Sequence, residues 1–352
     1  MNIRLTQNMV MVMKQSIPKT TQENEFKFID LFAGIGGFRI TLEELRGKCI
    51  FSSEWDKKAQ ETYRVNFKEL PVGDITKILE NKIPKHDVLC AGFPCQAFSV
   101  SGKQRGFEDT RGTLFFDIAR IANYHKPSVL FLENVKNFVN HDGGKTIKIV
   151  YDTLTKIGYD VYHEVLNASE YGIPQSRKRV YIVAFRKDLN IKKFNFPNPT
   201  FKKVKLKKFL QSNTKAKNQV VTKYKQIKIY DKEKMEKKSV FAPIRIGTIN
   251  GGGQGERIYS PNGHAITLSA YGGGIASKTG AYMIDGTIRK LTPRECANIM
   301  GFPPEFIIPV SDSQAYKQFG NSVAVPMITS IFKQIILHLE RDGKKAFSRT
   351  RK

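Results

Sequence analysis

The stretch 27-KFIDLFAGIGGFRITLEELR-46 organises the rest of the chain. KFIDLF (27–32) has the continuous apolar character of a buried strand, and FRITLEELR (38–46) has helical spacing, with Gly34, Gly36 and Gly37 between them. A strand running through a glycine turn into a helix brings backbone close to a nucleotide-like cofactor. A nicotinamide fingerprint, G-x-G-x-x-G, asks for a glycine where Arg39 stands, which disfavours a dinucleotide. CIFSS (49–53) reads as the next strand and ends at Glu54 and Trp55. A carboxylate there can accept hydrogen bonds from ribose hydroxyls, and the indole offers a face to an adenine.

Outward from this unit, strands and helices alternate. DKKAQETYRVNF (56–67) reads as a helix, HDVLCAG (86–92) as a strand, Leu114 to Tyr124 as a helix and SVLFLEN (128–134) as a strand. VYHEVL (161–166) and RVYIVAF (179–185) continue the sheet. The alternation predicts an α/β fold with parallel pairing and helices on both faces. After Pro199 the pattern stops: residues 201–239 hold 14 lysines against Asp231, Glu233 and Glu236. A run of this kind is either a solvated face or a nucleic-acid contact. The segment 250-NGGGQGERIYSPNGHAITLSAYGGG-274 is glycine-rich at both ends around AITLSA, a composition suited to loops that approach a ligand. Ile328, Ile331, Phe332, Ile335, Ile336 and Leu339 then fall on one helical face. The expected organisation is a flexible extension over 1–25, a large domain over 26–200 and 318–340, a mostly β/loop domain inserted at 201–290, a hinge at 291–317 and a basic tail at 341–352.

A formal net charge of +26 over 352 residues points to a polyanionic partner, nucleic acid first. No apolar run approaches a spanning length, so a membrane is not expected. Cys49, Cys90, Cys95 and Cys296 form neither a disulfide framework nor a paired zinc pattern, which implies a reducing compartment and no metal.

The chemistry centres on 90-CAGFPCQAFSVSGKQRGF-107. Cys95 follows Pro94 just past a strand end, where ligand crevices open in such sheets. A lone cysteine is more often a small buried hydrophobe, so its neighbours decide. Glu133 ends the strand FLENV (131–135), where burial would raise its pKa. Arg177 and Arg179 lie two apart in GIPQSRKRV (172–180), on one side if extended. A nucleophile, a carboxyl group and paired guanidiniums suit covalent chemistry on a heterocycle.

The ordered set DLFAGIGGFR, EWD, GDI, GFPCQAFS, GTLFF, ENV, IPQSRKR, LTPRECA and QFGNSV resembles the motif series of the C5-cytosine DNA methyltransferases, from about Phe26 to His338. GGQGERIYS and AITLSAYGGGI are similar to the inserted segment of the GCGC-specific, Hha-type bacterial branch.

The resemblance implies a Rossmann-like S-adenosylmethionine-dependent domain with a smaller target-recognition domain inserted before the C-terminal helix. It implies that Phe32, the glycine loop, Glu54, Trp55, Asp74, Ile75, Pro94, Leu114 and Asn321 hold the cofactor. It makes Cys95 the nucleophile on C6 of a flipped cytosine, Glu133 the partner of N3 and the amine, Arg179 the contact to O2, and Arg177 the support of the thiolate region. Lys103, Arg105 and Arg111 go to phosphate, and Ser101 to the space left by the base. Gln254 and Arg257 enter the duplex, Tyr271 and Gly274 lie on a second recognition loop, and Thr267 contacts phosphate. Pro261, Asn262 and His264 depart from the prototype. The implied protein is a cytoplasmic prokaryotic monomer that methylates GCGC at its first cytosine beside a separate cognate endonuclease. The alternatives are a solitary enzyme with another target such as CG, an RNA cytosine methyltransferase, and a DNA-binding regulator with an inactive core.

Overall fold

Residues 26–94, 114–202, 204–230, 241–271, 274–340 and 347 are described by the structure, a computed structural model. Strand β1 (Phe26–Leu31) leads into helix α1 (Gly37–Glu44), followed by β2 (Gly47–Ser53) and α2 (Lys57–Phe67). Then come β3 (Val88–Gly92), α3 (Leu114–His125), β4 (Val129–Val135), α4 (Lys145–Lys156), β5 (Tyr159–Asn167) and β6 (Lys178–Arg186). They form a six-stranded sheet in the order β2-β1-β3-β4-β6-β5.

Strand periodicity divides the apolar residues between two faces. Phe28, Cys90, Phe131 and Val183 point to one side; Ile29, Leu89, Leu130 and Ile182 point to the other. The first side packs against α1 and the last helix, α7 (Val325–Glu340), through Phe38, Leu42, Ile328, Phe332 and Ile335. The second packs against α3 and α4 through Phe115, Ile118, Val150 and Leu154. The layering is the expected one, but the pairing is not parallel throughout. Strand β6 runs antiparallel to both β4 and β5. Only residues 168–177 join β5 to β6, and they carry a single short turn of 3-10 helix, too little for the crossover that a parallel neighbour needs.

The second sheet comprises β7 (Ile227–Ile229), β8 (Ile244–Ile249), β9 (Arg257–Ser260), β10 (Ala281–Ile284) and β11 (Thr287–Lys290), in the order β11-β10-β9-β8-β7. Its own core holds Val221, Ile246, Ile249, Ile258 and Ala281. The lysine-rich segment is pinned beside it, with Leu206 and Phe209 buried in the main core while Lys202, Lys205, Lys207 and Lys208 stay exposed. Two further helices, α5 (Pro293–Met300) and α6 (Asp312–Asn321), lead back to the first sheet. Together Asp312–Glu340 is long and apolar enough to meet the length and composition test for a membrane span, contrary to the sequence expectation. Most of that apolar surface is buried against the sheet.

A buried ion pair joins the second sheet to α5. Arg289 of β11 donates from both terminal nitrogens to Glu295, at 2.8 and 2.9 Å, and neither side chain is exposed. Glu295 also accepts from the backbone of Gln211 and Thr292, so removal of the guanidinium leaves a carboxylate buried with too few partners. Arg289→Met is therefore expected to cost about 3–5 kcal/mol, to be measured by urea unfolding.

Candidate active site

Register builds the first corner of the candidate site. β3 and β4 place Gly92 beside Glu133, and β4 and β6 place Glu133 beside Tyr181 and Val135 beside Arg179. The Arg179 Nε lies 3.1 Å from a carboxylate oxygen of Glu133, whose side chain is only 9% exposed. Burial raises the pKa of Glu133, against the lowering effect of Arg179 and Arg177. Cys95 lies outside the described residues, but the chain leading to it is anchored here. Asn134 donates from Nδ2 to the carbonyl of Phe93 at 2.9 Å, while its Oδ1 accepts from the Val135 amide. The sequence reading overlooked Asn134. A primary amide buried at the end of an apolar strand needs such partners, and that was the available signal.

Arg177 is buried and turned toward backbone, where its terminal nitrogens donate to the carbonyls of Leu268, Gly320 and Ser322. It joins the start of β6 to the segment around Leu268 and to the loop between α6 and α7. Desolvation, with the like charge of Arg179 adding to it, lowers its pKa to about 9.

A second corner lies at the ends of β1 and β2. Glu54 is 8% exposed; it accepts from the Gly34 amide at 2.8 Å and from the Asp56 amide at 2.8 Å. Burial is the main cause of its raised pKa. Beside it Trp55 is 77% exposed. Of the three loop glycines, only Gly34 (φ +56) faces open space. A methyl group on Gly36 would meet the Phe67 ring, and one on Gly37 would meet Val323 at 2.6 Å, so these two serve packing. Arg39 is likewise structural, bonded to Glu43, Glu69 and the Tyr63 hydroxyl with its guanidinium 4.7 Å from the Phe67 ring centroid.

The sequence profile of the C-5 cytosine-specific DNA methylases matches residues 26–337. The Type II methyltransferase M.HhaI of Haemophilus parahaemolyticus is 52% identical over 313 residues, covering 89% of this chain and 95% of that protein. M.HpaII of Haemophilus parainfluenzae is 47% identical, covering 89% of each. The fold matches that of S. pombe Dnmt2 methyltransferase with a TM-score of 0.67 at 18% identity, over 90% of this chain and 99% of the other.

The chain belongs to the C-5 cytosine-specific DNA methylases. It is a DNA cytosine-5 methyltransferase, and its methyl donor is S-adenosylmethionine. The corner around Glu54 fits that donor. Each Glu54 oxygen has accepted one backbone amide and keeps capacity for a ribose hydroxyl, the Trp55 ring is free for an adenine, and Gly34 leaves room. Backbone bonds between Glu54 and Val72, and between Val72 and Ser52, bring the 72–75 segment alongside. Asp74 is half-buried there and caps the turn 75–77. The Ile75 side chain is buried in the core, so it would border a ligand through its backbone. Phe32 (φ +55) and Leu114 are half-buried, Pro94 and Asn321 are exposed, and Ser322 and Val323 pack against Gly37.

The two segments expected to read the duplex meet each other. The Ala276 amide donates to the carbonyl of Gly255, and Gly274 (φ +93) lies against the Gly255 backbone. This joins the segment of Gln254 and Arg257 to that of Tyr271, a residue 72% exposed. Arg257 is half-buried on β9, opposite Thr248. The expected phosphate role of Thr267 meets a competing bond, because its hydroxyl donates to the carbonyl of Ser176 and phosphate can only accept. His264 is buried 5.9 Å from the Phe241 ring, so this departure is a packing one. Ser101, Lys103, Arg105 and Arg111 lie outside the described residues. No group of three metal-ligating side chains occurs among the described residues.

Proposed function

We propose that this methyltransferase acts on the first cytosine of GCGC in duplex DNA through a covalent adduct with Cys95, as a monomer and as the modification partner of a separate restriction endonuclease. The observation that carries the chemistry is the register that sets Gly92, three residues before Cys95, beside the Glu133–Arg179 pair. Cytosine C5 is a poor nucleophile, and a base inside a duplex is out of reach, so the target must leave the stack. The Cys95 thiolate bonds to C6, and Glu133, holding a proton, donates to N3 as negative charge reaches the ring. Arg179 donates to O2. S-adenosylmethionine supplies an electrophilic sulfonium methyl, to be held by Glu54, Trp55, Asp74 and the Gly34 turn. Loss of the C5 proton to a base, expulsion of the thiolate and return of the N3 proton to Glu133 then restore the aromatic ring and the starting carboxyl group. Splitting the reaction this way replaces one difficult step by easier ones.

The inserted sheet and loops, residues 201–290 in this reading, are the target-recognition domain. Support for GCGC comes from the similarity of 251–275 to the Hha-type segment and from the 52% identity to M.HhaI. Mapping 5-methylcytosine in DNA from cells expressing the protein tests the target directly; methylation at CG or GGCC with GCGC untouched would refute it. Arg257→Ala is expected to lose about 1–3 kcal/mol of discrimination at a guanine, seen as methylation of near-cognate sites.

Nine lysines within 201–230 are exposed, and among the described residues only Lys207 of these makes an ion pair, 4.0 Å from Asp285. Each lysine that meets phosphate should lower the log–log salt slope of DNA binding by about one when neutralised. An unchanged slope after neutralising the run would leave these lysines as solvated surface.

A further inference from the structure

The ten-residue helix α6 touches both corners of the enzyme, and one side chain on it reaches the cofactor turn. Lys317 Nζ lies 2.7 Å from Asp56 Oδ2, with the two side chains about one-third exposed. Asp56 is the residue after Trp55, and its Oδ1 caps α2 by accepting from the amides of Lys58 and Ala59. Its own amide donates to Glu54 Oε1, and the other Glu54 oxygen accepts from Gly34. A continuous chain of bonds therefore runs from Lys317 through Asp56 and Glu54 to the glycine loop. Gln318 braces the same contact by donating to the Lys58 carbonyl and accepting from Thr62. On its other face α6 packs closely against the second reading loop: a methyl group on Gly320 would come within 2.3 Å of the Ala270 amide nitrogen. Among the described residues, Lys317–Asp56 is the sole ion pair between α6 and the cofactor turn.

We propose that Lys317 is a positioning residue for the methyl donor, holding the Glu54-Trp55-Asp56 turn in its binding geometry through Asp56. The proposal rests on the reading of Glu54 as the ribose acceptor. Hydrogen bonding to Asp56 holds the Lys317 ammonium above the usual lysine range, in keeping with a persistent contact.

The test is calorimetric titration of the full-length protein with S-adenosylmethionine and with S-adenosylhomocysteine, alongside cofactor-free binding of a GCGC duplex. Lys317→Met should weaken both cofactor complexes about fivefold, the size expected of a partly exposed pair. Lys317→Arg should restore most of the loss. In turnover, KM for the donor should rise by more than kcat falls. Lys317→Met combined with Asp56→Asn should be no worse than the weaker-binding single variant, since both remove one interaction. Glu54→Gln is the control for the reading beneath the proposal and should weaken the cofactor more than Lys317→Met does. If Glu54→Gln weakens the cofactor and Lys317→Met does not, the positioning role is wrong and the pocket stands. If neither changes the affinity, the pocket itself is misplaced and the proposal falls with it. Equal losses of cofactor and duplex affinity, with a lowered melting temperature, would make Lys317 a general fold residue and overturn the role.

Discussion

Replacing Cys95 by serine is expected to lower methyl transfer by roughly 10⁴-fold or more while duplex affinity stays within a few-fold of the parent. A serine hydroxyl is ionised far less readily than a thiol near neutral pH. In the proposed mechanism the thiolate is the working form, and the guanidinium of Arg179 beside Glu133 provides positive charge at the same strand ends. A duplex carrying 5-fluorocytosine at the target should trap the parent enzyme covalently, because fluorine cannot leave C5 as a proton does. The serine variant should form no such adduct. Trapping of the Cys95→Ser protein in a denaturing gel would remove Cys95 from the mechanism.

Glu133→Gln should be the next most damaging change, lowering kcat by about 10²–10³-fold. The amide is isosteric and can still donate to a ring nitrogen, but it cannot pass a proton as N3 becomes more basic. The two proteins should also differ in pH dependence. Burial raises the Glu133 pKa despite Arg179 and Arg177, so the carboxyl keeps its proton to a higher pH than a free glutamic acid, whose value is about 4.3. The protonated form is the active one in this scheme, so turnover by the parent should fall as pH rises through that raised pKa. The glutamine variant has nothing to ionise there and should lack that limb. The pH profile of kcat measured for both proteins decides it, and identical profiles would assign the proton to another group.

Patterns of local origin were fully legible in the sequence. The continuous apolar run 129–132 reads as a strand buried on both faces, and helical spacing in 328–339 puts residues on one face before any partner is known, because side-chain direction follows from backbone geometry alone. The Asp285–Gly286 turn, with φ of +47 and +79, closes β10 onto β11 and has the composition that hairpins of this kind require, although the reading passed over it. The residue types that could carry the chemistry also stand in the sequence in the family's order: Cys95 after Pro94, Glu133 at a strand end and the acidic-aromatic pair Glu54-Trp55. The family assignment follows from that order.

Direction and partnership needed the tertiary structure. The antiparallel course of β6 depends on how residues 168–177 return, and no strand pattern encodes it. Gly34, Gly36 and Gly37 look alike in sequence, yet only the packing of Phe67 and Val323 shows that two of them serve the core and one faces open space. Arg177 and Arg179 are two residues apart and of one type, but the carbonyls of Leu268, Gly320 and Ser322 claim the first while Glu133 meets the second. These partners lie 46 to 145 positions away along the chain, and charge and hydrogen bonding act over ångströms rather than sequence distance. A sequence names the groups that can ionise, donate or accept. Which of them face each other, and so which proton is held and which charge is neutralised, is decided only when the folded chain brings them within reach.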